Sequence, residues 1–334
     1  MRVALVGAGR IGSEHAKVVC DHPEVDELVI ADIDVARAEA VAQSLGVRSA
    51  GIDSAMARAD AVVITAATQA HPALLLSAAE SRIPVFCEKP IAADVAGSVS
   101  VVKELRRVGA VTQIGFQRRF DAGYVAARQA VQSGTLGELR RVHAVTADRE
   151  PPSAAYIPTS GGIFRDCLVH DFDILRWITG RDVTHVYATG ANRGAAFFAE
   201  AGDVDEAAAL LTMDDGTLAT MQGSRYNGGG HDVRMELAGT LATWAVGLDE
   251  RTALVSAEAG VDFPDGEPYS TFWFRWLPAY QAEIAAFIEL ALGRRESPCT
   301  VEDALEAFYV AEAAEVSRRE HRVVRVDEVR HTVG

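Results

Sequence analysis

The fold is decided by residues 3–12, Val3-Ala4-Leu5-Val6-Gly7-Ala8-Gly9-Arg10-Ile11-Gly12. A short apolar run leads directly into the spacing Gly-x-Gly-x-x-Gly and then into a helical pattern that begins at Arg10. In such a turn Gly7 makes the tight bend, Gly9 lets the backbone approach a pyrophosphate, and Gly12 lets the helix pack against the strand. The stretch predicts a strand–turn–helix unit that binds phosphates at the helix N-terminus.

An acidic residue stands where a dinucleotide fold needs one. The apolar run Leu28-Val29-Ile30-Ala31 ends in Asp32, about twenty residues past Gly12, where a carboxylate accepts hydrogen bonds from the adenosine ribose. Asp32 would also repel a 2′-phosphate, so the sequence favours NAD over NADP. Arg37 opposes that preference only if it approaches the ribose, and its place on the following helix predicts that it faces solvent.

Strand and helix patterns alternate as far as residue 118, which predicts a mostly parallel sheet with helices on both faces. The predicted helices span 10–20, 34–45, 72–81 and 94–108, and the predicted strands span 3–6, 28–31, 61–65, 84–88 and 110–116. Ligands of such a sheet bind at the carboxyl ends of its strands. We therefore expect residues 1–118 to form an NAD-binding Rossmann domain.

The rest of the chain, 119–334, has a different pattern. Three of its predicted helices span 122–133, 278–293 and 302–319, and a fourth carries Asp166 and His170 and continues to Thr179. Its strand-like runs lie near 183–190, 206–213, 217–225, 231–239, 241–247 and 251–256. Several strands with few helices between them predict an α+β domain with a mainly antiparallel sheet. The fold class is therefore α/β, with a Rossmann domain followed by an α+β domain.

The composition argues against several classes of partner. The net charge is −15 and no basic patch is gathered along the chain, which argues against nucleic acid. No apolar run approaches the length of a membrane span and no leader pattern opens the sequence, so we expect no membrane association and a cytoplasmic location. The cysteines are far apart, which predicts reduced thiols, and no cluster with metal-ligand spacing predicts a metal site.

One stretch of the second domain carries reactive groups. In Gly161-Gly162-Ile163-Phe164-Arg165-Asp166-Cys167-Leu168-Val169-His170 a carboxylate precedes an imidazole by four residues, and on a helix both share one face. Histidine exchanges protons near neutral pH, and a nearby acid can orient it. Taken alone, this spacing is more often a solvated surface pair, and the dinucleotide motif upstream is what favours catalysis. Cys167 is expected to point off that face and not to act as a nucleophile.

These motifs together resemble one oxidoreductase family. Gly7-x-Gly9-x-x-Gly12, Asp32, Glu88-Lys89-Pro90 and Gly161-Gly162 followed by Asp166-x-x-x-His170-Asp171 are similar to the glucose–fructose oxidoreductase / inositol dehydrogenase (Gfo/Idh/MocA) family over nearly the whole chain. Residues 113–121 and 279–283 resemble its inositol 2-dehydrogenase branch. The resemblance implies a second domain that binds substrate and whose sheet commonly mediates oligomer formation, hence a homo-oligomer, either a dimer or a homotetramer.

The same resemblance implies that Lys89, Asp166 and His170 form the catalytic set. His170 would remove the hydroxyl proton of the substrate as general base, and Asp166 would either orient that hydroxyl or share a proton with Lys89. Lys89 precedes Pro90, which restricts its conformation, and an ammonium there can stabilise alkoxide character as hydride leaves carbon. A solvated loop lysine is the alternative.

Further residues are assigned more loosely. The predicted cofactor contacts are Gly7, Gly9, Arg10, Ile11, Gly12, Asp32, Thr65, Ala66, Ala67, His71, Glu88 and Lys89. For His71 the start of a helix is an equal alternative. Glu88 is expected at the nicotinamide ribose or carboxamide. Arg119 and His231 are the predicted substrate contacts, and for Arg119 a surface salt bridge is equally consistent with the sequence.

The sequence favours NAD-dependent oxidation of a secondary hydroxyl of a cyclic polyol, myo-inositol or a close relative, to the ketone. An aldose, amino sugar or anhydro sugar is the rival substrate, because the loop 148–152 lacks the Asn-Pro pattern of the inositol branch and His231 stands where that branch tends to carry tyrosine. A non-catalytic NAD-binding sensor is a third possibility, and the presence of Lys89, Asp166 and His170 together argues against it.

Overall fold

The computed structural model describes residues 1–332 and divides the chain into two compact units. The first comprises Met1–Gln117 and Ala279–Leu305, and the second comprises Arg118–Pro278 and the residues from Glu306 onward. The break after Gln117 lies beside the predicted domain boundary, whereas the segment 279–305, which the sequence placed in the second domain, belongs to the first unit. Among the described residues, no helix combines the length and apolar character that a bilayer crossing requires.

The first unit contains a parallel sheet. Its elements up to residue 117 are β1 (Arg2–Val6), α1 (Arg10–Cys20), β2 (Glu27–Ala31), α2 (Val35–Leu45), β3 (Arg48–Ser49), α3 (Ile52–Met56), β4 (Ala61–Ile64), α4 (His71–Glu80), β5 (Val85–Glu88), α5 (Val95–Val108) and β6 (Thr112–Gly115). The strands lie in the order β3-β2-β1-β4-β5-β6, and each neighbouring pair is parallel. The order reverses between β1 and β4, as in a doubly wound dinucleotide-binding sheet, which confirms the predicted Rossmann architecture.

Burial explains why these residues form a central sheet. All residues of β4, and all of β1 after its first, are buried apolar side chains, as expected of parallel strands covered on both faces. Helix α1 packs Ala16 and Val19 into the core. Helix α2 begins after Asp34, whose side chain accepts the Arg37 N–H, and ends at Gly46 in the left-handed conformation. The first βαβ unit is thus specified by local sequence.

The second sheet is mixed and mostly antiparallel. The elements after residue 117 are α6 (Ala122–Gln132), β7 (Leu139–Ala147), α7 (Ile157–Ser160), α8 (Ile163–Asp166), α9 (Val169–Thr179), β8 (Val183–Ala191), α10 (Phe197–Glu200), β9 (Glu206–Met213), β10 (Leu218–Ser224), β11 (Asp232–Gly239), β12 (Thr243–Val246), α11 (Phe272–Ala291), α12 (Val301–Glu320), β13 (Val324–Arg325) and α13 (Val326–Thr332). The strand order is β12-β11-β7-β10-β9-β8-β13. The β7–β10 pair is parallel and the other pairs are antiparallel, which confirms the predicted α+β character.

The strand predictions for this sheet include one strand that is absent and omit β7 and β13. Strand β7 was missed because Arg140, Arg141 and His143 lie at its exposed positions and interrupt its apolar pattern. The predicted strand at 251–256 is wrong, since those residues lie in an irregular segment between β12 and α11. Strand β12 is at the edge of the sheet, and Gly247, with φ of +85°, turns the chain directly after it.

Helix α11 accounts for the return of residues 279–305 to the first unit. Ile284, Phe287 and Ile288 of α11 lie in the core cluster that also contains β1 residues, and the rings of Phe86 and Phe287 lie 5.8 Å apart. The helix begins at Phe272, earlier than predicted, with Pro278 inside it. The predicted helix began at 278, six residues later.

Candidate active site

The turn after β1 has the close approaches that require glycine. Gly7 has φ of +108°, and a Cβ there would lie 2.3 Å from the backbone nitrogen of Ala66. A Cβ on Gly12 would lie 1.7 Å from the carbonyl oxygen of Gly7, so helix α1 meets the turn only without a side chain at this position. A Cβ on Gly9 would meet nothing within 4 Å. The absence of a side chain at Gly9 therefore keeps open the space that a pyrophosphate needs.

Helix α1 begins directly at this open space. Its N-cap residue is Gly9, which has extended backbone and no side chain to satisfy the first amides. The N–H groups of the first helical turn, which starts at Arg10 and Ile11, and the positive end of the helix dipole suit anionic phosphate oxygens. The residues of the turn thus fit a dinucleotide, and Gly9 and the start of α1 would hold its pyrophosphate.

Asp32 is fixed at the end of β2 beside the glycine turn. It is 8% exposed, its Oδ2 accepts the N–H of Ala8 at 2.6 Å, and its Oδ1 accepts the N–H of Asp34 at 2.8 Å. Arg37 is exposed, as expected, and its Nη1 also lies 3.6 Å from Oδ2 of Asp32. The site thus holds a fixed carboxylate for the ribose with a cation beside it.

Asp32→Ser combined with Ile33→Arg is expected to shift cofactor preference towards NADP by about 100-fold or more, since removing a like charge a few ångströms from a 2′-phosphate is worth a few kcal/mol. Arg37 already stands where it could meet that phosphate, and Ile33 is 91% exposed, so the arginine costs no packing. Binding of NAD and NADP measured by fluorescence titration checks this, with Ile33→Arg alone as the control. Unchanged NAD selectivity in the double variant would remove Asp32 from the ribose site.

The loop after β4 is tied to the glycine turn. The Thr65 hydroxyl donates to the carbonyl oxygen of Gly7 at 2.7 Å. His71 begins α4 and is buried, with Nδ1 2.7 Å from the carbonyl oxygen of Pro90 and Nε2 2.9 Å from that of Ala66. Both ring nitrogens thus lie against protein carbonyls. This geometry favours the helix-start alternative for His71, which positions the loop containing Ala66 and Ala67 without offering a ring nitrogen to the cofactor.

Glu88 and Lys89 follow at the end of β5. One carboxylate oxygen of Glu88 lies 2.8 Å from Nε2 of the fully buried His15, and the other accepts the backbone N–H of Lys89 at 3.2 Å. Glu88 is therefore held from the α1 side, a contact that the sequence analysis did not predict. Lys89 stands at the carboxyl end of a parallel strand, where ligands of such sheets bind.

Asp166 and His170 lie on two helices. The N–H groups of Cys167 and Leu168 both donate to the carbonyl oxygen of Ile163, each at 3.0 Å. This widened turn ends α8 at Asp166, and His170 lies in the first turn of α9. The prediction of one continuous helix is therefore wrong, because a two-residue break at Cys167 and Leu168 separates the two groups.

A polar network surrounds Asp166. The Tyr156 hydroxyl donates to its Oδ1 at 2.8 Å, and Nη2 of Arg225 donates to its Oδ2 at 2.8 Å. Nη1 of Arg225 also donates to Oδ2 of Asp148 at 3.4 Å, and the other oxygen of Asp148 lies 3.4 Å from Nδ1 of His231. His231 is buried, and its Nε2 has no hydrogen-bond partner among the described residues. Asp166 and His231 were predicted from the sequence. Arg225 and Tyr156 were not, because neither belongs to a sequence motif that points to this network.

Arg118 and Arg119 anchor α9. Arg118 donates to Asp171 at 2.6 Å, and Arg119 donates twice to Asp173, at 2.9 and 2.5 Å. The Arg119 side chain is 4% exposed. Arg119 therefore forms a salt bridge, but this salt bridge is buried and does not lie at the surface as the alternative supposed. Burial opposes the charge of Arg118, but the Asp171 carboxylate raises the pKa of Arg118 above its ordinary value. These pairs fix the helix that carries His170, and this geometry gives Arg119 a structural role.

The cysteines Cys87 and Cys167 are buried. Burial, aided by nearby carboxylates such as Asp148, raises the pKa of Cys167 to about 12, so its sulfur is a neutral thiol. Burial raises the pKa of Cys87 in the same way. Within residues 1–332, no group of three or more His, Cys, Asp or Glu side chains could hold a metal ion.

The doubly wound sheet, the open glycine turn and the fixed Asp32 define a dinucleotide-binding protein. Residues 1–116 match the family model of an oxidoreductase family with an NAD-binding Rossmann fold, and residues 124–245 match the GFO/IDH/MocA C-terminal domain. The chain belongs to the GFO/IDH/MocA family of NAD-binding oxidoreductases, which confirms the resemblance seen in the sequence and the choice of NAD.

Relatives match along nearly the whole chain. A myo-inositol dehydrogenase from Streptomyces leeuwenhoekii is 35% identical, with 95% of this chain and 97% of the relative covered. A scyllo-inositol 2-dehydrogenase (NAD(+)) from Bacillus subtilis is 32% identical, with 100% and 98% covered. The crystal structure of scyllo-inositol dehydrogenase from Lactobacillus casei with bound NAD(H) and scyllo-inositol has a TM-score of 0.86 at 27% identity, with 98% of this chain and 99% of that chain covered.

Proposed function

We propose that this chain is an NAD-dependent dehydrogenase that oxidises a secondary hydroxyl of a cyclic polyol, myo-inositol or a close relative, to the ketone. The relatives named for inositol dehydrogenation support the substrate class. The observation that carries the proposal is the network at Asp166: a candidate catalytic carboxylate held by Arg225 and Tyr156, four residues before His170.

Each catalytic candidate has a distinct role in this proposal. His170 accepts the hydroxyl proton as general base, and Asp166 acts on the same hydroxyl. Lys89 donates to the reacting oxygen and stabilises its developing negative charge. When bound, NAD supplies the acceptor for the hydride. We further propose that residues 1–118 bind NAD and that 119–334 bind the substrate.

His231 is the better supported of the two predicted substrate contacts. Its Nδ1 lies against Asp148, which favours a proton on that nitrogen. The buried Nε2, which has no partner among the described residues, would then accept a hydrogen bond from a substrate hydroxyl. Arg119 is not proposed as a contact, because Asp173 occupies its guanidinium.

The rival substrates remain an aldose, an amino sugar or an anhydro sugar. The observation that favours them is His231 itself, since an imidazole there replaces the tyrosine typical of the inositol branch and accepts where a phenol donates. The chemistry at Lys89, Asp166 and His170 would be the same for these substrates.

The protein is also proposed to be a cytoplasmic homo-oligomer, a dimer or a tetramer. Thiol cysteines agree with a reducing compartment. Tyr187 and Leu210 stand opposite each other on neighbouring strands of the second sheet and are 43% and 46% exposed. Apolar side chains exposed together on a sheet face suit a contact with a second copy. Sedimentation velocity tests the assembly, and a monomer at micromolar concentration would contradict it.

A substrate panel tests the proposed reaction. Purified protein is mixed with NAD or NADP and with inositol isomers, aldoses, amino sugars or anhydro sugars, and the absorbance of reduced nicotinamide is followed. We expect turnover with an inositol and NAD. Activity with a sugar alone would keep the chemistry and replace the substrate. If no substrate of the panel is turned over while NAD still binds, the proposal is contradicted and a non-catalytic NAD-binding sensor is favoured.

A further inference from the structure

Arg225 contacts Asp166 and takes no part in the proton and hydride transfers of the proposed reaction. It follows β10, its side chain is 3% exposed, and its backbone N–H donates to the carbonyl oxygen of Asp205 at 2.8 Å. Its guanidinium donates to Asp166 and to Asp148. Arg225 is thus a buried cation placed by the end of a strand and shared by two carboxylates.

Tyr156 meets Asp166 at its other oxygen. Each carboxylate oxygen of Asp166 therefore accepts from a donor on a different segment, Oδ1 from Tyr156 and Oδ2 from Arg225. Helix α8, which ends at Asp166, is four residues long and has little rigidity of its own. Two donors on two oxygens fix the plane of the carboxylate. We call Arg225 and Tyr156 the Asp166 clamp.

The clamp also sets the charge of Asp166. A buried guanidinium at hydrogen-bond distance favours the carboxylate over the carboxylic acid. Burial opposes the charge of Arg225, but the carboxylates of Asp166 and Asp148 raise the pKa of Arg225 above its ordinary value, so the arginine stays charged. An ionised carboxylate accepts hydrogen bonds and donates none.

Building on the proposed function, we propose that Arg225 is a positioning residue that holds Asp166 as an ionised acceptor for the reacting hydroxyl of the polyol. The sequence left two roles for Asp166, orienting the hydroxyl or sharing a proton with Lys89. A clamped, ionised carboxylate serves the first role: it shares the single O–H of the reacting hydroxyl with His170 in a three-centre hydrogen bond, and the proton then passes to His170. Misplacing such an acceptor by an ångström costs about 100-fold in rate.

Substitutions within the clamp test this in the full-length protein with NAD and myo-inositol. Arg225→Met is expected to lower kcat by about 100-fold with KM and NAD affinity little changed. Arg225→Lys should recover part of kcat, because lysine keeps the charge but lacks the planar fork. Tyr156→Phe removes one hydrogen bond at a side chain that is 40% exposed and is expected to lower kcat by about tenfold. Arg58→Met, at an exposed arginine that follows α3, is the matched control for Arg225→Met and should not change kcat.

A crystallographic readout is independent of turnover. In crystal structures of the NAD complexes, the Asp166 carboxylate is expected in one orientation in the wild type and turned away or spread over several in Arg225→Met. A carboxylate that stays in place together with wild-type kcat would overturn the proposal. If Arg225→Met does not fold, Tyr156→Phe decides by the same two readouts. If the wild-type protein turns over no substrate of the panel, the proposed function is contradicted instead. The orientation of the Asp166 carboxylate in the crystal structures would still test the clamp.

Discussion

Lys89→Ala is expected to lower kcat with myo-inositol and NAD by about 1000-fold and to leave NAD affinity within about threefold of the wild type. Lys89 follows β5 at the ligand-binding end of the parallel sheet. Its ammonium interacts most strongly with the reacting oxygen once negative charge develops there. Removing an interaction made chiefly in the transition state lowers kcat and spares binding.

A second lysine supplies the control for this variant. Lys103 lies exposed on α5, so Lys103→Ala should keep wild-type kcat. Steady-state absorbance of reduced nicotinamide gives kcat, and fluorescence titration gives NAD affinity. Wild-type turnover in Lys89→Ala would remove Lys89 from the reaction. A non-catalytic NAD-binding sensor would bind NAD equally well in Lys89→Ala and Lys103→Ala, and the wild type would show no turnover.

His170→Asn is expected to lower kcat by about 1000-fold, within the range of a lost general base. Asparagine is similar in size and keeps hydrogen-bonding groups, but it cannot take up the hydroxyl proton. The buried pairs Arg118–Asp171 and Arg119–Asp173 hold α9 in place in the variant. NAD affinity is therefore expected to stay unchanged.

The pH profile separates loss of the base from a general disturbance of the site. In the wild type, kcat/KM is expected to fall at low pH, because a protonated imidazole cannot accept the hydroxyl proton. This decrease should vanish in His170→Asn. His143→Asn, at an exposed position of β7, is the control and should retain it. Near-normal rates in His170→Asn would exclude it as the base.

The contacts of the glycine turn and of Asp32 could be predicted because they are local in sequence. The close contact of Gly12 with the Gly7 carbonyl joins residues five apart, and Asp32 reaches Ala8 across a single βαβ unit. Spacing along the sequence specifies such contacts, since the intervening strand and helix have standard geometry. The position of Arg37 beside Asp32 was missed because it depends on a side-chain rotamer.

The contacts around Asp166 join residues that are far apart in sequence. Arg225 is 59 residues from Asp166 in sequence, and no motif links the two. The break between α8 and α9 arises from a shift in backbone hydrogen bonding at Cys167 that helical spacing does not reveal. Likewise, the return of residues 279–305 to the first unit follows from burial of Phe287 in its core, which an apolar helix pattern alone does not assign to one sheet or another.

In the proposed reaction hydride passes from a ring carbon of the polyol to NAD, and an isotope label can follow that hydrogen directly. The protein is incubated with NAD and with myo-inositol carrying deuterium on every ring carbon, and the reduced cofactor is analysed by mass spectrometry. We expect the reduced nicotinamide to carry deuterium from the substrate. Reduced cofactor without deuterium, or no reduced cofactor while NAD remains bound, would contradict it.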